Sequence, residues 1–335
     1  MLPLRTPRLT VRQLGLGDVP IIANYRNDGD VAMYQDWTLP YSDHRLAAHV
    51  AGEADGGIDY AAGTNLGIEF DGTLIGDLYV RVDDGLADMG WTLRTGWQGR
   101  GLGREAVSAV VEQLFTAFGV HRIAAEMHVD NIASARLCEA VGMTFEARTR
   151  MNYPGRMGWE DNLYYAMLLA EWRQWVGRSR RRPDKVALVE LGPSNVGRYA
   201  ALRTHRSQER LVAPMPKSFR DALFPEVVGG SPVVPWMRGI EADGSPAGFV
   251  MLSEATAHHP EPYLWRLLID RMEQRRGIGE VAVGQVIERL RAAGHASLMV
   301  SWVDGPGSPR RFYERLGFVP TGEIDHGEIV ARLTW

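Results

Sequence analysis

A glycine-rich loop occurs twice in this chain, and each copy is followed by the same kind of second signature. The first loop reads Gln98-Gly99-Arg100-Gly101-Leu102-Gly103, the second Gln274-Arg275-Arg276-Gly277-Ile278-Gly279. Asn131-Ile-Ala-Ser134-Ala-Arg-Leu-Cys138-Glu-Ala-Val-Gly142 follows the first, and Ser308-Pro309-Arg-Arg-Phe312-Tyr313-Glu-Arg-Leu316-Gly317-Phe318 the second. From Gly103 to Gly142 is 39 residues, and from Gly279 to Gly317 it is 38. Matched landmarks in one order predict one domain written twice.

The length allows this. A chain of 335 residues is long for one core and comfortable for two of about 150 residues each. The repeat places a first domain at 1–176, an Arg-rich linker at 177–185 and a second domain at 186–335. The run Arg178-Ser-Arg180-Arg181-Arg182-Pro183, midway between the copies, reads as a solvated linker. No apolar run approaches the roughly 20 residues of a membrane span, and Met1-Leu-Pro-Leu-Arg-Thr-Pro-Arg shows no secretory h-region. With one cysteine, Cys138, a disulfide framework is excluded. A cytoplasmic protein is expected. The net charge of -4 gives no overall basic footprint for nucleic acid.

Hydrophobic periodicity places the loops. Arg8–Arg12 alternates as a strand, and Asp18 is a candidate N-cap, with Pro20 in the first turn of the next helix. Asn65–Phe70 and Thr73–Val80 flank Asp71-Gly72, a hairpin signal. Met89–Leu93 is a strand entering the first loop. Ala106, Val107, Val110, Val111, Leu114, Phe115 and Phe118 then share a helical face closed by Gly119. Ile123–Val129 is a strand, and a short helix ends at Gly142. The second copy repeats the plan. Val186–Glu190, Gly248–Leu252 and Tyr263–Asp270 read as strands. Val283, Val286, Ile287 and Leu290 line a helix closed by Gly294, and Ala296–Val303 is the next strand. Ser308 is the expected N-cap of a last helix, with Pro309 its first residue.

A strand that turns sharply into a helix leaves unpaired N–H groups at the helix start, which with the helix dipole attract anions. Glycines let the backbone adopt positive φ and approach a ligand. Arg100, Arg275 and Arg276 add side-chain charge. These loops therefore predict pyrophosphate binding. A dinucleotide fold would use Gly99-x-Gly101-x-Gly103 with an acid such as Glu126, but Met299 stands at that distance in the second copy, and both loops lie mid-domain. No Gly-Lys-Ser/Thr is present, which excludes a P-loop.

Gln-x-x-Gly-x-Gly between strand and helix, followed by Asn-x-x-Ser or Phe-Tyr-x-x-Leu-Gly-Phe, resembles the GNAT superfamily of acyl-CoA-dependent N-acyltransferases. Both halves carry it. The first resembles the RimJ/RimL branch through Leu4–Leu9, Leu74-Ile75-Gly76, Gly90–Leu93 and Asn131-x-x-Ser134. The second resembles a bacterial diamine or polyamine acetyltransferase through Leu264–Asp270, Gly305–Pro309 and Gly327–Leu333. The implied fold is α/β: two GNAT folds in tandem, each a central mixed, mostly antiparallel β-sheet flanked by helices.

The resemblance implies that acetyl-CoA is held by Gln98, Gly99, Arg100, Gly101, Leu102, Gly103 and Asn131 in the first half. In the second it is held by Gln274, Arg275, Arg276, Gly277, Ile278 and Gly279. Flanking strands splay to admit the pantetheine, and a deprotonated amine attacks the thioester. Tyr313 stands where the family often places the acid that protonates the leaving thiolate. In the first half Cys138 occupies that place, so Ser134 is the candidate, while Cys138 reads as a small buried apolar residue. The second half lacks the Asn and has Pro306 there. Asp88, Glu69, Asp270 and Glu254 are candidate bases, as is a water chain. The nine histidines show no ligand spacing, so no metal is expected, and His258-His259 reads as an exposed loop.

The expected acceptor is a primary amine on a small molecule, polyamine-like or antibiotic-like. Its pocket would come from segments 26–60, 150–165 and 205–235, with Tyr34, Trp37, Tyr153 and Trp159 available to stack. Protein N-terminal acetylation by the first half and a non-catalytic CoA sensor stay open, as does a homo-oligomer.

Overall fold

The computed structural model describes residues 2–35, 37–56, 58–155 and 158–335. Asp36, Gly57, Arg156 and Met157, which fall in two of the expected acceptor segments, lie outside the described residues. The chain divides into two compact units, Met1–Val176 and Gly177–Trp335.

In the first unit the order is β1 (Leu4–Arg5), β2 (Leu9–Gln13), α1 (Val19–Arg26), α2 (Gly29–Ala32), α3 (His44–Gly56), β3 (Thr64–Phe70), β4 (Thr73–Asp83) and β5 (Leu86–Leu93). Then come α4 (Leu102–Ala117), β6 (Arg122–His128), α5 (Ile132–Val141), β7 (Thr144–Gly155), β8 (Gly158–Leu168) and α6 (Leu169–Gly177). One sheet runs β1-β2-β3-β4-β5-β6-β8-β7. Its neighbours are antiparallel except β5 and β6. The hairpin turn holds Asp71 at φ 47 and Gly72 at φ 74, the left-handed pair that a two-residue loop demands.

The second unit holds β9 (Val186–Val189), α7 (Val196–Ala200), α8 (Met215–Leu223), β10 (Val227–Val228), β11 (Ser231–Pro232), β12 (Val234–Ala242), β13 (Ser245–Glu254) and β14 (Tyr263–Ile269). After these come α9 (Ile278–Ala292), β15 (Ser297–Trp302), α10 (Arg310–Arg315), β16 (Val319–Asp325) and β17 (Glu328–Thr334). The sheet order is β16-β17-β15-β14-β13-β12-β9, with β14 and β15 its parallel pair. The succession from β3 to β8 is thus repeated, element for element, from β12 to β17.

Both loop helices bury the stripe that the periodicity marks. On α4 it is Ala106, Val107, Val110, Val111, Leu114 and Phe115; on α9 it is Ala282, Val283, Val286 and Leu290, with Ile287 partly buried. Asp18 is the N-cap residue of α1, but its carboxylate makes no cap bond there. It accepts instead from the Gly15 amide and from Arg12, which against the raising effect of burial hold it below its usual range. Pro309, not Ser308, is the N-cap of α10, while Ser308 Oγ accepts from the Arg310 amide.

Residues 177–185, expected to be a solvated linker, lie in the second unit and are tied to it. Arg181 O accepts from Arg276, and the Lys185 amide donates to Asp243.

Candidate functional sites

Each loop takes left-handed backbone at alternate positions: Gly99 (φ 71) and Gly101 (φ 76), then Arg275 (φ 66) and Gly277 (φ 78). The geometry is conserved between the copies although Arg275 replaces a glycine, and this places a side chain in a region that costs about 1–2 kcal/mol without glycine. Among the described residues the amides from Gly99 to Arg104 have no hydrogen-bond partner, and the first paired amide is that of Glu105, on Gly101 O. In the second loop it is that of Val281, on Gly277 O. The third glycine of each loop serves packing. A Cβ on Gly103 would lie 3.0 Å from Leu93 Cδ1, and one on Gly279 3.4 Å from Phe312 Cζ. Leu102 and Ile278 point into the cores, so they can offer a ligand only their amides.

The two glutamines have a role the sequence reading missed. Gln98 Nε2 donates to Leu93 O at 2.9 Å and Gln274 Nε2 to Ile269 O at 3.1 Å, in each case five residues back. They pin the loop to the end of the preceding strand, and their side chains are engaged. Arg276 is also engaged. It is 9% exposed and holds Glu273, Arg181 O and, at 3.8 Å, Asp243, so it braces the loop from behind. Arg275 is exposed at the loop. Arg100 packs its guanidinium on Trp97 and Phe70, 4.7 and 5.6 Å from the ring centroids.

The parallel strands part inside β5 and β14, before these strands reach the loops. β5 and β6 pair only from Leu86–Arg122 to Asp88–Ala124, and Met89–Leu93 and Ala125–His128 then continue without pairing to each other. β14 and β15 pair only at Tyr263–Met299 and Leu264–Val300. In each unit the parting strands lead into the glycine loop on one side and the second-signature helix on the other. An extended ligand anchored on the loop amides can therefore add itself between the strands.

In the first unit Asn131 caps α5 by accepting from the Ser134 amide at 3.1 Å, and Ser134 Oγ accepts from the Trp91 indole at 3.2 Å. A hydroxyl that accepts this way keeps its own proton to donate. Cys138 is fully buried, and burial, with Glu139 beside it, pushes its thiol well above the usual range, which makes it inert. His128, at the end of β6, was missed by sequence reading. Its Nδ1 accepts from the Asp130 amide, its Nε2 lies 3.3 Å from Glu160, and Tyr34 stacks on the ring at 5.3 Å. Trp37 donates to Arg26 O, Tyr153 stands in β7, and Trp159 is 60% exposed.

The second unit contains a cavity of about 1360 Å³. Its wall includes Glu273–Arg275 and Gly277–Glu280 of the loop, strand β14, Met299 and Ser301 of β15, Phe312 and Tyr313 of α10, and Glu328. Tyr313 is held by aromatic rings: Trp302 stacks on it at 5.7 Å, and Phe312 and Phe318 meet it edge-on. Burial, then Glu328 and Tyr263, raise its phenol above the ordinary value, so it stays protonated. His259 also lines this cavity, half-buried, with Nε2 3.3 Å from Ser231 O, which corrects the expectation of an exposed His pair.

The four candidate bases do not gather at these sites. Glu69 pairs with Arg12 and Glu254 with Arg289; Asp270 accepts from the Arg203 and Met272 amides, and Asp88 is exposed on β5. Among the described residues no group of three His, Cys, Asp or Glu could hold a metal ion. Among the described residues no helix is long and apolar enough to cross a membrane.

Residues 8–144 match the model of the acetyltransferase (GNAT) domain, and residues 200–318 that of the acetyltransferase (GNAT) family. The chain is a tandem GNAT acetyltransferase. Over 171 residues it is 27% identical to the uncharacterized N-acetyltransferase YnaD of Bacillus subtilis (strain 168), covering 50% of this chain and 98% of that one. Among solved structures it is similar to a GNAT-family acetyltransferase from Bacillus anthracis (23% identity, TM-score 0.43, covering 50% of this chain and 98% of that one). It is similar as well to ribosomal-protein-S5-alanine acetyltransferase from Vibrio fischeri (20% identity, TM-score 0.46, covering 51% and 99%). Each relative thus spans about half of this tandem acyltransferase, whose family takes its acetyl group from acetyl-CoA.

Proposed function

We propose that this tandem GNAT protein transfers the acetyl group of acetyl-CoA to a primary amine of a small molecule, and that the second unit performs the transfer. The observation that carries this reading is the continuous cavity of the second unit. It joins the orphan amides of the loop, the parted strands and Tyr313 to a wall built by Arg210–Pro214, Lys217, Glu226, Val233 and His258–Glu261. A ligand occupying the loop and the strand gap leaves the space along this wall for an acceptor the size of a small amine. The fit to acetyl-CoA rests on the unpaired amides from Arg275 to Glu280 and the two-residue pairing of β14 with β15.

In this reading the loop amides and Arg275 hold the pyrophosphate, and the free strand edges hydrogen-bond the pantetheine. Tyr313 donates its phenolic proton to the departing thiolate. Ser134, with its proton free, is the counterpart in the first unit, whose loop amides and parted strands support a second acetyl-CoA site. Protein N-terminal acetylation by the first unit is the alternative acceptor chemistry.

Thiol release from acetyl-CoA, measured across a panel of small amines and short peptides, tests the proposal. Tyr313→Phe should lower turnover of small amines by about 10²–10⁴ while acetyl-CoA still binds. Turnover of peptides alone, insensitive to Tyr313→Phe, would assign the activity to the first unit.

A further inference from the structure

Once Glu69, Asp88, Asp270 and Glu254 are placed elsewhere, the second unit's reaction lacks a base. An alkylamine is an ammonium ion near neutral pH, and a nucleophile only after it loses a proton. A base for it must be a carboxylate of the cavity wall that faces the parted strands and is not already neutralised.

Most wall carboxylates fail this requirement. Glu273 is held by Arg276. Glu261 accepts from Ser297 and pairs with Arg332, and it is held below its usual range chiefly by the Ser297 hydroxyl. Glu209 pairs with Arg206, Glu280 belongs to the loop end, and Glu226 is exposed just before β10, off the parting strands. Glu328 differs. No cation pairs with it among the described residues, and its recorded partner is the Ser301 hydroxyl, which donates to Oε2.

The sheet explains why this carboxylate faces the reacting end. Leu264, Val300 and Trp302 point into the core beneath α9, so Tyr263, Met299 and Ser301 alternate onto the opposite face. Ser301 pairs with Val330 and Trp302 with Ile329, which brings Glu328 to the open end of β15. There Glu328, Ser301, Tyr263 and Tyr313 line one cavity. The other titratable groups on this end of the wall are Asp325 and His326, with Arg266 on β14. Tyr313 comes from the core side and Glu328 from the opposite face, and both line the cavity that the parted strands β14 and β15 also wall. This is the arrangement a thioester carbonyl in the gap needs, with an acid on the thiolate side and a base on the amine side.

Building on the proposed function, we infer that Glu328, oriented by Ser301, is the base that receives the first proton of the acceptor ammonium. The amine lone pair then forms the C–N bond to the acetyl carbon, and the C–S bond breaks. Sulfur takes the proton of Tyr313, and the nitrogen's second proton returns to Tyr313. The proton on Glu328 leaves to solvent past the exposed Asp325–His326 turn. The balance is one ammonium and one thioester in, and one amide, one thiol and one released proton out.

The test compares two acceptors: an alkylamine that the wild type acetylates, and its β,β,β-trifluorinated analogue, whose nitrogen is largely unprotonated near neutral pH. For Glu328→Gln, kcat/KM with the alkylamine should fall by about 10²–10⁴, with the fluorinated amine by less than about tenfold, and acetyl-CoA affinity should be unchanged. Ser301→Ala, which keeps the carboxylate but frees it, should lose activity on the alkylamine only, and by less. Equal losses on both amines in either variant, or wild-type rates in Glu328→Gln, would overturn the assignment while leaving the proposed function intact. A wild type that binds acetyl-CoA and acetylates no amine would instead sink the proposed function, and this base with it.

Discussion

The guanidinium of Arg182 lies against Gly277, the left-handed residue that opens α9: a Cβ built on that glycine would be 3.5 Å from Arg182 Nε. Arg8 stands in the same relation to Gly101, with Nη2 3.7 Å from the corresponding position. Each arginine comes from the segment leading into the strand, β2 or β9, that pairs with the first strand of the repeated succession, β3 or β12, so the arrangement is repeated like the loops. Both place fixed positive charge beside unpaired helix-start amides. Arg8 also serves Glu105, at 2.7 Å, and Arg100 O. Arg182 has no such duty on the loop.

Arg182→Ala should therefore weaken acetyl-CoA binding at the second site by roughly tenfold to a hundredfold, the range of one charge-assisted hydrogen bond of about 1.5–3 kcal/mol. Arg8→Ala should cost the first site less in affinity. Calorimetric titration of each variant checks this. An unchanged second-site affinity in Arg182→Ala would show that the arginine merely covers the glycine.

The loop backbone yields a second prediction. Arg275 occupies the left-handed position that Gly99 fills in the first copy. Arg275→Gly should stabilise the second unit by up to about 1–2 kcal/mol by relieving that conformation, yet weaken acetyl-CoA binding if the side chain meets phosphate. Gly277→Ala should do the reverse to the fold, destabilising by a similar amount. Denaturant melts followed by binding titrations separate the two effects. A destabilised Arg275→Gly would mean that the arginine's contacts outweigh its strain.

Glycine spacing was legible because positive φ and close helix packing leave few residue types, so Gly101, Gly103, Gly277 and Gly279 mark the loops in any order of reading. The helix stripes were legible because burial follows period. Side-chain direction was not. Arg276 reads as a phosphate ligand beside Arg275, but the turn aims it inward to Glu273 and Asp243. Gln98 and Gln274 look like ligand residues and are clamps. A further duplicated landmark went unread because it needs the partner strand. Gly76 on β4 and Gly248 on β13 sit where a Cβ would meet the carbonyls of Thr92 and Leu268, at 2.2 and 2.5 Å. The base stayed hidden because Glu328 lies far along the chain from the loop, and only the β15–β17 register brings it to the strand gap.

The first unit carries a buried polar network that predicts a different sensitivity. Asp77 accepts from Arg26 at 2.6 Å, from Asn65 at 2.7 Å and from the Tyr25 hydroxyl, and its side chain is 2% exposed. Arg26 is itself flanked by Trp37 and Tyr41, with centroids 5.0 and 5.1 Å away. Asp77→Ala leaves a buried guanidinium uncompensated and should cost about 3–5 kcal/mol. It should lower the urea midpoint of the first unit's transition and leave that of the second in place. A shift of less than about 1 kcal/mol would mean that Arg26 finds water or another acceptor.

Tyr313 yields a pH dependence with a definite sign. Its folded phenol is raised above the unfolded value, first by burial and then by Glu328 and Tyr263. A phenol so raised stabilises the fold fully below the unfolded value of about 10. Above that value the unfolded chain loses its proton while the folded one keeps it, so stability falls with rising pH until the folded phenol ionises as well. Urea melts of the second unit should therefore shift to lower midpoints as pH rises past about 10, and Tyr313→Phe should flatten that slope. Across the working range the same shift keeps Tyr313 protonated, so an alkaline loss of turnover below this region would have to come from another group. Difference spectroscopy of tyrosinate formation checks the origin: wild type and Tyr313→Phe should ionise alike until the second unit unfolds, because in the folded protein Tyr313 contributes nothing to the early titration. An early-titrating phenol missing from the variant would show that Tyr313 is open to solvent and remove this basis for treating it as a proton donor.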